Sequence, residues 1–386
     1  MESGTVAHIV HSYLPVTQNW IYNQLSFNNR HIPLVLCQFV QNMEQFPLKQ
    51  VYPVFKATDF VRLFLTRVHL LTVHNNYLDL LREKKPDLIH GHFSTESIRV
   101  LKIVKQLDIP LVTTFYGLDV NKLPLRRYWR KRYPSLFATG DIFIVEGHHM
   151  AKQLVKLGCP EDKIRVVHIG IDIERIRAGS SLFNPYNSLV RVLFVGLERE
   201  KKGALDAADA FLRAVKVFPD AELHIIGDGR YKKNVEKKFV DAGVPDKVIF
   251  HGFVSVEKYH TLLCQSDIVL TPSCTARDGD TEGGAPVLCI EAQAAGKPVV
   301  GTEHCDIPEI VLHGRSGLLC PEHEIEALSQ NLILLFQNRD LRNKMGDAGI
   351  IHARKEHDIT KQVAQLNNIY DTLIGHKRSS CRDPYN

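Results

Sequence analysis

A short stretch in the second half of the chain places small residues between two carboxylates. Between Glu282 and Glu291 stand two glycines, an alanine and a proline: Gly283, Gly284, Ala285 and Pro286. A proline suits the first turn of a helix, so the small residues leave bare N–H groups at a helix N-terminus, where anions bind. On that helix Glu291 offers two acceptor oxygens to a pair of vicinal hydroxyls. The stretch therefore predicts a site for the phosphates and hydroxyls of a nucleotide sugar, although an exposed helical position is the alternative for Glu291.

A second candidate is the charged loop Gly196–Gly203, which follows a predicted strand and precedes a predicted helix, Ala204–Phe218. Arg199 and Lys202 place cations beside free N–H groups, an arrangement that binds a diphosphate. A solvated turn is the alternative for this loop taken alone. After the next strand, Gly227–Arg230 only begins a dinucleotide fingerprint because the third glycine is missing, which disfavours an NAD-dependent dehydrogenase.

Metal chemistry has a weaker basis in the sequence. Asp278 and Asp280 could hold a divalent cation on a diphosphate, but so short a motif matches by chance, and an acidic loop beside the acceptor is the preferred interpretation. The eight cysteines form no Cys-x-x-Cys pair and have no zinc-like histidine spacing, which argues against zinc and against a disulfide framework. We expect no metal and no cofactor beyond the nucleotide sugar as co-substrate.

In the first half, His90 and His92 lie at the end of the predicted strand Asp87–Gly91. Ligands of open parallel sheets bind beyond the carboxyl ends of the strands, so a catalytic role is one interpretation. The other is a neutral histidine hydrogen-bonded at a strand end.

The elements that must position these residues follow an alternating pattern of short β-branched runs and longer helical segments, which predicts βαβ units around parallel sheets. In the first half the predicted strands are Val6–Val10, Leu34–Phe39, Asp87–Gly91, Pro110–Thr114, Asp141–Val145 and Arg165–Ile169. In the second half they are Arg191–Gly196, Glu222–Gly227, Val248–Phe250, Asp267–Thr271, Pro298–Thr302 and Gly317–Cys320. A turn-rich hinge is predicted over 176–188.

The length of 386 residues suits two domains, and 44% hydrophobic with 24% charged residues indicates a globular chain rather than a disordered one. We predict an N-terminal acceptor-binding domain over 1–180, a C-terminal donor-binding domain over 181–360 and a terminal helix and tail over 361–386. Residues 1–180 carry 23 Lys and Arg against 15 Asp and Glu, whereas residues 181–386 carry 25 against 28. The N-terminal half is therefore the better candidate for an anionic surface.

The segment Glu282–Val300 resembles the donor half of the retaining GT-B glycosyltransferases of family 4. Their signature is a Glu, seven residues and a second Glu, followed by Ala-x-Ala-x-Gly-x-Pro-Val-Val. The resemblance covers nearly the whole chain and extends to several other segments: Pro86–His92, Val112–Gly117, Gly170–Asp172, Lys202-Gly203, His251–Phe253, Thr271–Ser273 and Pro308-Glu309. The subgroup that builds colanic-acid-like exopolysaccharides is the most similar one.

The resemblance implies an α/β fold of GT-B architecture, with two Rossmann-like domains facing each other across a cleft and a C-terminal helix returning to the N-terminal domain. It implies a hexosyl or other glycosyl transfer from a UDP- or GDP-sugar with retention of configuration, onto a polysaccharide precursor or lipid-linked glycan. Alternatives are a non-catalytic nucleotide-sugar-binding protein and a transferase for a soluble small acceptor.

The same resemblance implies roles for single residues. Lys202, with Arg199, would contact the diphosphate, Glu291 the ribose, and Gly283, Gly284, Ala285 and Pro286 the sugar and phosphates. His251, Gly252 and Phe253 would border the nucleobase. The implied catalytic residues are Glu282, His92 and Tyr116.

Three positions depart from the family pattern. Leu197 stands where the family usually has Arg, so Arg199 is the expected substitute. Eight residues rather than seven separate Glu282 from Glu291. Tyr116 stands where many members have His.

The partner predicted for the basic half is an anionic membrane surface. In residues 126–133 five cations alternate with three aromatic side chains, a combination that favours the interface of an anionic bilayer, while a solvated charged face is the alternative. No signal peptide is recognisable, so we expect a cytoplasmic protein with peripheral contact at the inner face of the membrane. Nucleic acid is not expected as a partner, because no recognition motif is present and the second half is acidic.

Overall fold

The computed structural model describes residues 3–55, 74–180 and 189–380. By its internal contacts the chain divides into two compact units: unit 1 comprises Met1–Gly170 and Ile359–Asn386, and unit 2 comprises Ile171–Asp358. The sequence predicts these boundaries after residues 180 and 360. Residues 181–188 of the predicted hinge lie outside the described residues.

Each unit is built on one parallel sheet. Unit 1 contains β1 Thr5–Tyr13, β2 Ile32–Val40, β3 Val51–Pro53, β4 Leu88–His92, β5 Leu111–Thr114, β6 Ile142–Val145 and β7 Ile164–Val166. Unit 2 contains β8 Val190–Val195, β9 Ala221–Ile226, β10 Val248–Gly252, β11 Ile268–Thr271, β12 Val299–Thr302 and β13 Gly317–Cys320. The orders are β3-β2-β1-β4-β5-β6-β7 and β10-β9-β8-β11-β12-β13.

The helices lie between the strands along the chain. Before the chain enters unit 2, the helices of unit 1 are α1 Asn19–Ser26, α2 His74–Lys84, α3 Ser94–Leu107, α4 Leu118–Asn121, α5 Arg127–Arg130, α6 Tyr133–Thr139 and α7 His148–Lys156. Those of unit 2 are α8 Ile173–Ser180, α9 Ala204–Val217, α10 Lys232–Asp241, α11 Val256–Gln265, α12 Val287–Ala294, α13 Ile307–Ile310, α14 Ile325–Gln337 and α15 Arg339–Glu356. The last helix, α16 Ile359–Ser380, belongs to unit 1. Short 3₁₀ turns span Val16–Gln18, Leu123–Leu125, Glu161–Lys163, Glu200–Lys202 and Pro245–Lys247.

The α/β class, the two Rossmann-like sheets and the return of the C-terminal helix to the N-terminal domain are confirmed. In α16, Leu366 and Tyr370 are fully buried against one face of the first sheet, beside Val6, Leu88 and Val112. Because parallel strands are covered on both faces, their sequences are nearly continuous hydrophobic runs, which is why the strand predictions succeeded.

Two details of the sheet differ from the sequence prediction. The strand Val51–Pro53 was not predicted, since three residues ending in a proline carry almost no periodic signal. The strand predicted over Arg165–Ile169 ends at Val166.

In both sheets the strand order reverses beside the first strand, because the chain first adds strands on one side of it and then on the other. These switch points lie between β1 and β4 and between β8 and β11. In open parallel sheets the crevice for ligands lies beyond the carboxyl ends of the strands at such a switch point. The candidate residues of both halves of the chain follow these strands.

Candidate active site

The switch point of unit 2 brings together the loops that follow β8 and β11. Gly203 has φ +68°, and a Cβ atom there would lie 1.9 Å from the carbonyl oxygen of Pro272, so only glycine fits. Beside this contact the N–H of Cys274 donates to the carbonyl of Lys201 at 2.9 Å. The family-like Lys202-Gly203 pair is thus held directly against the loop that leads to Glu282.

Lys202 and Glu282 form an ion pair at this junction. The Lys202 ammonium lies 3.0 Å from Glu282 Oε1, and the Ser273 hydroxyl donates to the same oxygen at 3.0 Å. The Glu282 side chain is only 7% exposed, and that of Lys202 is 30% exposed. Burial raises the pKa of Glu282, but the charges of Lys202 and Lys201 and the hydrogen bonds from Lys202 and Ser273 outweigh it, so the pKa is below its ordinary value. Glu282 is therefore an ionised, buried carboxylate.

Asp280 forms a second charged junction beside the first. It is buried, and it accepts from Lys201 at 3.3 Å and from Arg199 at 3.4 Å. Its own N–H donates to Asp278 Oδ1 at 3.0 Å. Asp280 thus holds the cations of the first loop, and a place of this acidic loop beside the acceptor stays a prediction. A buried carboxylate needs opposite charge, which the two cations supply.

The small residues occupy the predicted place at the start of α12. Pro286 directly precedes the helix with φ −58°, and Gly283 has φ +81°. At the other end Gly296 has φ +72° and donates its N–H to the carbonyl of Gln293, as predicted for a helix C-terminus. Gly284 and Ala285 lie between these points, so the bare backbone stands directly beside the Lys202–Glu282 pair.

Glu291, on α12, is buried at 6% exposure, which rules out the alternative of an exposed helical position. The Tyr259 hydroxyl donates to Glu291 Oε2, and His260 Nε2 lies 3.9 Å from Oε1. Burial and the Glu291 charge raise the pKa of Tyr259 well above its ordinary value, so its hydroxyl stays protonated and remains a donor. Tyr259 was not found from the sequence, since a tyrosine in a helix carries no functional signal of its own.

The end of β10 presents the residues predicted to border a nucleobase. Phe253 is 82% exposed, unusual for a large apolar side chain, and Gly252 has φ +65°. His251 stacks on His224 of the neighbouring strand with ring centroids 5.2 Å apart, and their facing nitrogens are 3.0 Å apart. Burial, the nearby His224 and the Lys258 charge lower the pKa of His251. The two rings at this edge, those of Phe253 and His251, are therefore uncharged.

At the switch point of unit 1, three histidines lie on one face of adjacent strands. His8 of β1 is paired in register with His90 of β4, and His92 follows two residues later on the same face. All three are at most 1% exposed. Burial lowers the pKa of His92 to about 3, and burial with their imidazole neighbours lowers those of His8 and His90 well below the ordinary value. The three rings are neutral.

Hydrogen bonds link these rings to hydroxyl groups. His90 bonds the Tyr370 hydroxyl at 2.6 Å and the Thr114 hydroxyl at 2.7 Å. His92 lies 3.0 Å from His8 through one nitrogen and 2.7 Å from the Tyr116 hydroxyl through the other. His90 is thus the neutral strand-end residue of the second interpretation, and His92 is linked through Tyr116 to the residues beyond the strand ends.

Nitrogen atoms of the three histidines lie within 4.8 Å of one another, close enough to test against a metal ion. A metal lies in the plane of every imidazole that binds it, close to the ring nitrogen. The rings of His90 and His92 are stacked 4.3 Å apart with planes only 25° from parallel, so those planes do not meet near the nitrogens. The arrangement fits a hydrogen-bonded stack and does not fit shared coordination of one ion.

Tyr116 lies at the end of β5 and is fixed from several sides. Its N–H donates to Asp119 Oδ1 at 3.0 Å, and the other oxygen of Asp119 accepts from the N–H of Ser94 at 2.7 Å. Burial raises the pKa of Asp119 to about 6, against the lowering effect of these backbone donors. Tyr116 also lines a cavity of about 30 Å³ with Trp20 and Thr114, room for one water molecule.

Two further residues of the donor region, His304 and Glu322, were not predicted from the sequence. His304 accepts the N–H of Glu282 at 3.1 Å and lies 2.6 Å from Glu322. Both follow strand ends, the position where ligand-binding residues collect, and that rule is the signal that could have found them.

Two families match the chain along most of its length. Residues 9–175 match the family described as Glycosyltransferase Family 4, and residues 184–352 match Glycosyl transferases group 1. The amylovoran biosynthesis glycosyltransferase AmsK of Erwinia amylovora is 34% identical over 296 residues, 74% of this chain and 70% of AmsK. A putative colanic acid biosynthesis glycosyltransferase, WcaL of Escherichia coli K12, is 30% identical over 282 residues, 72% of this chain and 68% of WcaL.

The chain belongs to glycosyltransferase family 4. Its fold is that of the Anabaena protein Alr3699/HepE, solved in complex with UDP, which superposes with a TM-score of 0.78 at 16% identity and covers 96% of this chain and 100% of HepE. The architecture is therefore GT-B, as the sequence predicted, and the protein is a transferase.

Two of the departures from the family pattern have a structural description. Leu197 is fully buried in the core of unit 2. At the position where the family usually has Arg, this chain therefore has a side chain that packs in the core. Arg199, two residues later, has a side chain that is 56% exposed and touches Asp280. Tyr116 stands where many members have His, and its hydroxyl is bonded to His92.

The basic segment 126–133 exposes only some of the side chains on which the predicted membrane contact rests. Its five cations are exposed or half-buried: Arg126, Arg127, Arg130, Lys131 and Arg132. Of its three aromatic side chains, Tyr133 is buried and donates to the carbonyl of Asp119, and Trp129 packs partly against the core. Tyr128 is exposed, with the guanidinium of Arg132 over its ring at 3.6 Å. Among the described helices, none is both long and apolar enough to cross a membrane.

Proposed function

We propose that this transferase moves a sugar from a UDP-sugar to a growing glycan in exopolysaccharide assembly, with retention of the anomeric configuration. The relatives AmsK and WcaL are described as amylovoran and colanic acid biosynthesis enzymes, and HepE binds UDP. The observation that carries the proposal is the Lys202–Glu282 pair beside bare backbone at the switch point of unit 2, since it offers a cation and a carboxylate to one charged ligand.

In this proposal Lys202 changes partner when the donor binds. The diphosphate takes the place of Glu282 beside the ammonium group, and the backbone of Gly283–Pro286 donates to phosphate and sugar oxygens. Glu282, released from its closest cation but still bonded by Ser273, then accepts from hydroxyls of the donor sugar. The Lys202 ammonium thus pairs with the Glu282 carboxylate before the donor binds and with the diphosphate afterwards, so that each negative charge has an opposite charge when it most needs one.

Arg199 supplies the positive charge that Leu197 does not. Its side chain is exposed, and its bond to Asp280 is long at 3.4 Å, so the guanidinium can leave that partner at low cost. Asp280 keeps Lys201 at 3.3 Å in either case. Two cations, Lys202 and Arg199, would then face the departing diphosphate and stabilise the charge that develops as the bond to the sugar breaks.

The remaining donor contacts follow from exposure and hydrogen bonding. Glu291, already oriented by Tyr259, accepts from the ribose hydroxyls. The exposed ring of Phe253 and the neutral ring of His251 border the base, with Gly252 between them. We assign the acceptor side to Tyr116 and His92, because a hydroxyl held by a neutral imidazole can donate to or accept from an acceptor hydroxyl.

A donor panel tests the proposed reaction. Incubation with UDP-, GDP- and ADP-sugars should give slow hydrolysis of a UDP-sugar, and NMR of the transferred product should show an unchanged anomeric configuration. Tight binding of UDP-sugars without turnover would favour a binding protein instead. The same assay with EDTA tests metal independence: activity abolished by EDTA and restored by Mg²⁺ or Mn²⁺ would overturn that part.

Glu291 gives a sharper test of the donor pose. Glu291→Gln removes the charge that receives the ribose hydroxyls, so the affinity for UDP should fall about tenfold or more. Affinity for 2′,3′-dideoxy-UDP should change little, because that ligand lacks the hydroxyls. Equal losses for both nucleotides would place Glu291 elsewhere in the site.

We further propose that residues 126–133 contact an anionic membrane that presents a lipid-linked acceptor. The support is the exposure of the cations together with Tyr128 and the neighbouring Leu125, which is 64% exposed. Each cation near an anionic bilayer contributes ~1 kcal/mol, and an exposed tyrosine favours the interface. With one exposed aromatic side chain rather than three, charge carries most of this proposed attraction.

Co-sedimentation with vesicles checks this contact. The wild-type protein should pellet with anionic vesicles and not with neutral ones, and the variant with all five segment cations changed to Gln should stay in the supernatant. A control variant changes five exposed cations of unit 2 to Gln: Arg213, Lys216, Lys233, Lys237 and Lys355. If both variants lose binding equally, net charge rather than this segment is responsible, and a soluble acceptor becomes the better interpretation.

A further inference from the structure

Three loops at the carboxyl edge of the second sheet are tied together by one histidine and one glutamate. Thr275 follows β11, His304 follows β12 and Glu322 follows β13. The N–H of Thr275 donates to Glu322 Oε2 at 2.8 Å, and His304 Nδ1 lies 2.6 Å from Glu322 Oε1. The third contact runs from the N–H of Glu282 to His304 Nε2 at 3.1 Å. The buried imidazole of His304 thus joins the backbone of Glu282 to the carboxylate of Glu322. That carboxylate follows β13 and is also bonded by the loop after β11.

The direction of these bonds fixes the tautomer of His304. A backbone N–H can only donate, so Nε2 must accept from Glu282 and carries no proton. The proton therefore sits on Nδ1 and is donated to Glu322. Partial burial raises the pKa of Glu322, but the hydrogen bonds from His304 and Thr275 outweigh it and leave the pKa below its ordinary value. Glu322 is thus ionised and suited to hold that tautomer.

The side chain of Glu282 is held by a different set of groups, Lys202 and Ser273. Where its carboxylate can point depends on where its Cα lies, and His304 is the side chain that bonds its backbone N–H. When Lys202 turns to a ligand, as proposed above, the carboxylate keeps Ser273 and the longer contact with Lys201 at 4.0 Å. The bond to His304 restrains the backbone of Glu282 independently of that change.

We propose that His304 and Glu322 are a positioning pair for the transferase, which fixes the backbone of Glu282 so that its carboxylate meets the donor sugar. The pair touches neither the diphosphate nor the nucleoside in this assignment. It acts through the backbone of Glu282, and so it affects turnover of a nucleotide sugar and leaves binding of the bare nucleotide intact. This inference rests on the proposed function for the role of Glu282, whereas the bonds themselves do not.

The first arm of the test measures the bonds without any substrate. Hydrogen exchange of a peptide covering residues 275–284 should accelerate in His304→Ala and Glu322→Gln, since the first loses the acceptor for Glu282 and the second loses one of two carboxylate acceptors. Exchange in α9 should stay unchanged in both. The control Glu326→Gln removes an exposed carboxylate four residues from Glu322 that pairs with Arg213, and it should leave the 275–284 peptide as in the wild type.

The second arm measures function. In His304→Ala the kcat for UDP-sugar hydrolysis should fall roughly ten- to hundred-fold, the loss expected when a reacting group is misplaced. The Kd for UDP should change less than about twofold, because no Glu282 contact to UDP is lost. His304→Gln, which keeps an acceptor for the Glu282 N–H, should recover part of the lost turnover.

The outcomes separate the two proposals. Unchanged exchange of 275–284 in both variants overturns the positioning pair, whatever the turnover. A fall in UDP affinity as large as the fall in kcat also overturns it, because that result indicates general damage to the site. A wild-type protein that turns over no nucleotide sugar overturns the proposed function instead, and the exchange arm still decides whether the pair holds the loop.

Discussion

The two switch points of this transferase solve the problem of buried polar groups in opposite ways. In unit 2, the cations Lys201 and Lys202 lie against the buried carboxylates of Asp280 and Glu282. In unit 1, three buried histidines lie on the sheet and have no ionic partner among the residues that the structure describes, and their pKa values are lowered so that they stay neutral. The switch point of unit 2 therefore contains ion pairs, and that of unit 1 contains hydrogen bonds between neutral groups.

The difference follows from what each region is proposed to bind. A diphosphate carries charge, and a site that already contains an ion pair can accept it by exchanging partners rather than by burying a new isolated charge. An acceptor hydroxyl is neutral, and neutral rings and hydroxyls such as His92 and Tyr116 match it without ionisation. Similar sheets can therefore carry sites of opposite electrostatic character at equivalent edges.

The strongest test of the charged region is removal of its central cation. Lys202→Ala should lower UDP-sugar turnover about ten- to hundred-fold, since a charged hydrogen bond to the ligand is lost. It should also lower the free energy of unfolding by about 1–3 kcal/mol, because Glu282 remains buried and loses its closest cation. Kinetic assays and urea unfolding measure the two effects.

Two matched variants complete this test. Adding Glu282→Gln to Lys202→Ala should recover part of the lost stability but none of the turnover, because the uncompensated charge disappears while the catalytic groups do not return. Lys216→Ala removes an exposed cation from α9 and should behave as the wild type. If Lys202→Ala is neutral in both assays, the paired-charge description of unit 2 is wrong.

Beside the neutral rings of unit 1 lies a buried carboxyl group, that of Asp119, whose protonation can be followed. Its folded-state pKa of about 6 is above the ordinary value of 3.8, because its carboxylate is buried. A raised folded pKa means that its stabilising contribution is complete below about pH 4 and is lost as the pH rises through 6. Between pH 4 and pH 7 the wild type should therefore lose up to ~3 kcal/mol of unfolding free energy relative to Asp119→Asn.

Parallel urea unfolding of the two proteins from pH 4 to pH 7 measures this difference, since every other titrating group is common to both. Glu161→Gln, an exposed carboxylate elsewhere in unit 1, serves as the control and should show no such pH-dependent difference from the wild type. A wild-type-minus-variant difference for Asp119→Asn that stays flat over this range would show that the backbone donors of Ser94 and Tyr116 dominate over burial.

The smallest effect is expected from a single hydroxyl in the neutral region. Tyr116→Phe leaves one nitrogen of His92 without its partner and removes a group assigned to the acceptor, so transfer should fall about two- to tenfold. UDP affinity should not change. Tyr128→Phe, at an exposed position, is the matched control. A loss of UDP affinity in Tyr116→Phe would contradict the assignment of this region to the acceptor.

Much of the fold was predictable because its signals are local. Buried parallel strands are short hydrophobic runs, and the ends of α12 are marked by Pro286 and Gly296, whose backbone preferences do not depend on distant neighbours. The strand Val51–Pro53 was missed since it is stabilised by pairing with β2 rather than by any pattern of its own. Tyr259, His304 and Glu322 were missed for a related reason: their partners are distant in sequence.

By itself the sequence determined the family, the two parallel sheets and which chemical groups stand beyond the strand ends, because glycine, proline and hydrophobic periodicity act within a few residues. Only the tertiary structure decided the pairings: Lys202 with Glu282, Asp280 with Lys201, Tyr259 with Glu291, and His92 with Tyr116. It also decided that Leu197 packs in the core and that Tyr133 faces inward. Hydrogen bonds and ion pairs act over about 3 Å, and which side chains come that close depends on how separate loops meet at a sheet edge.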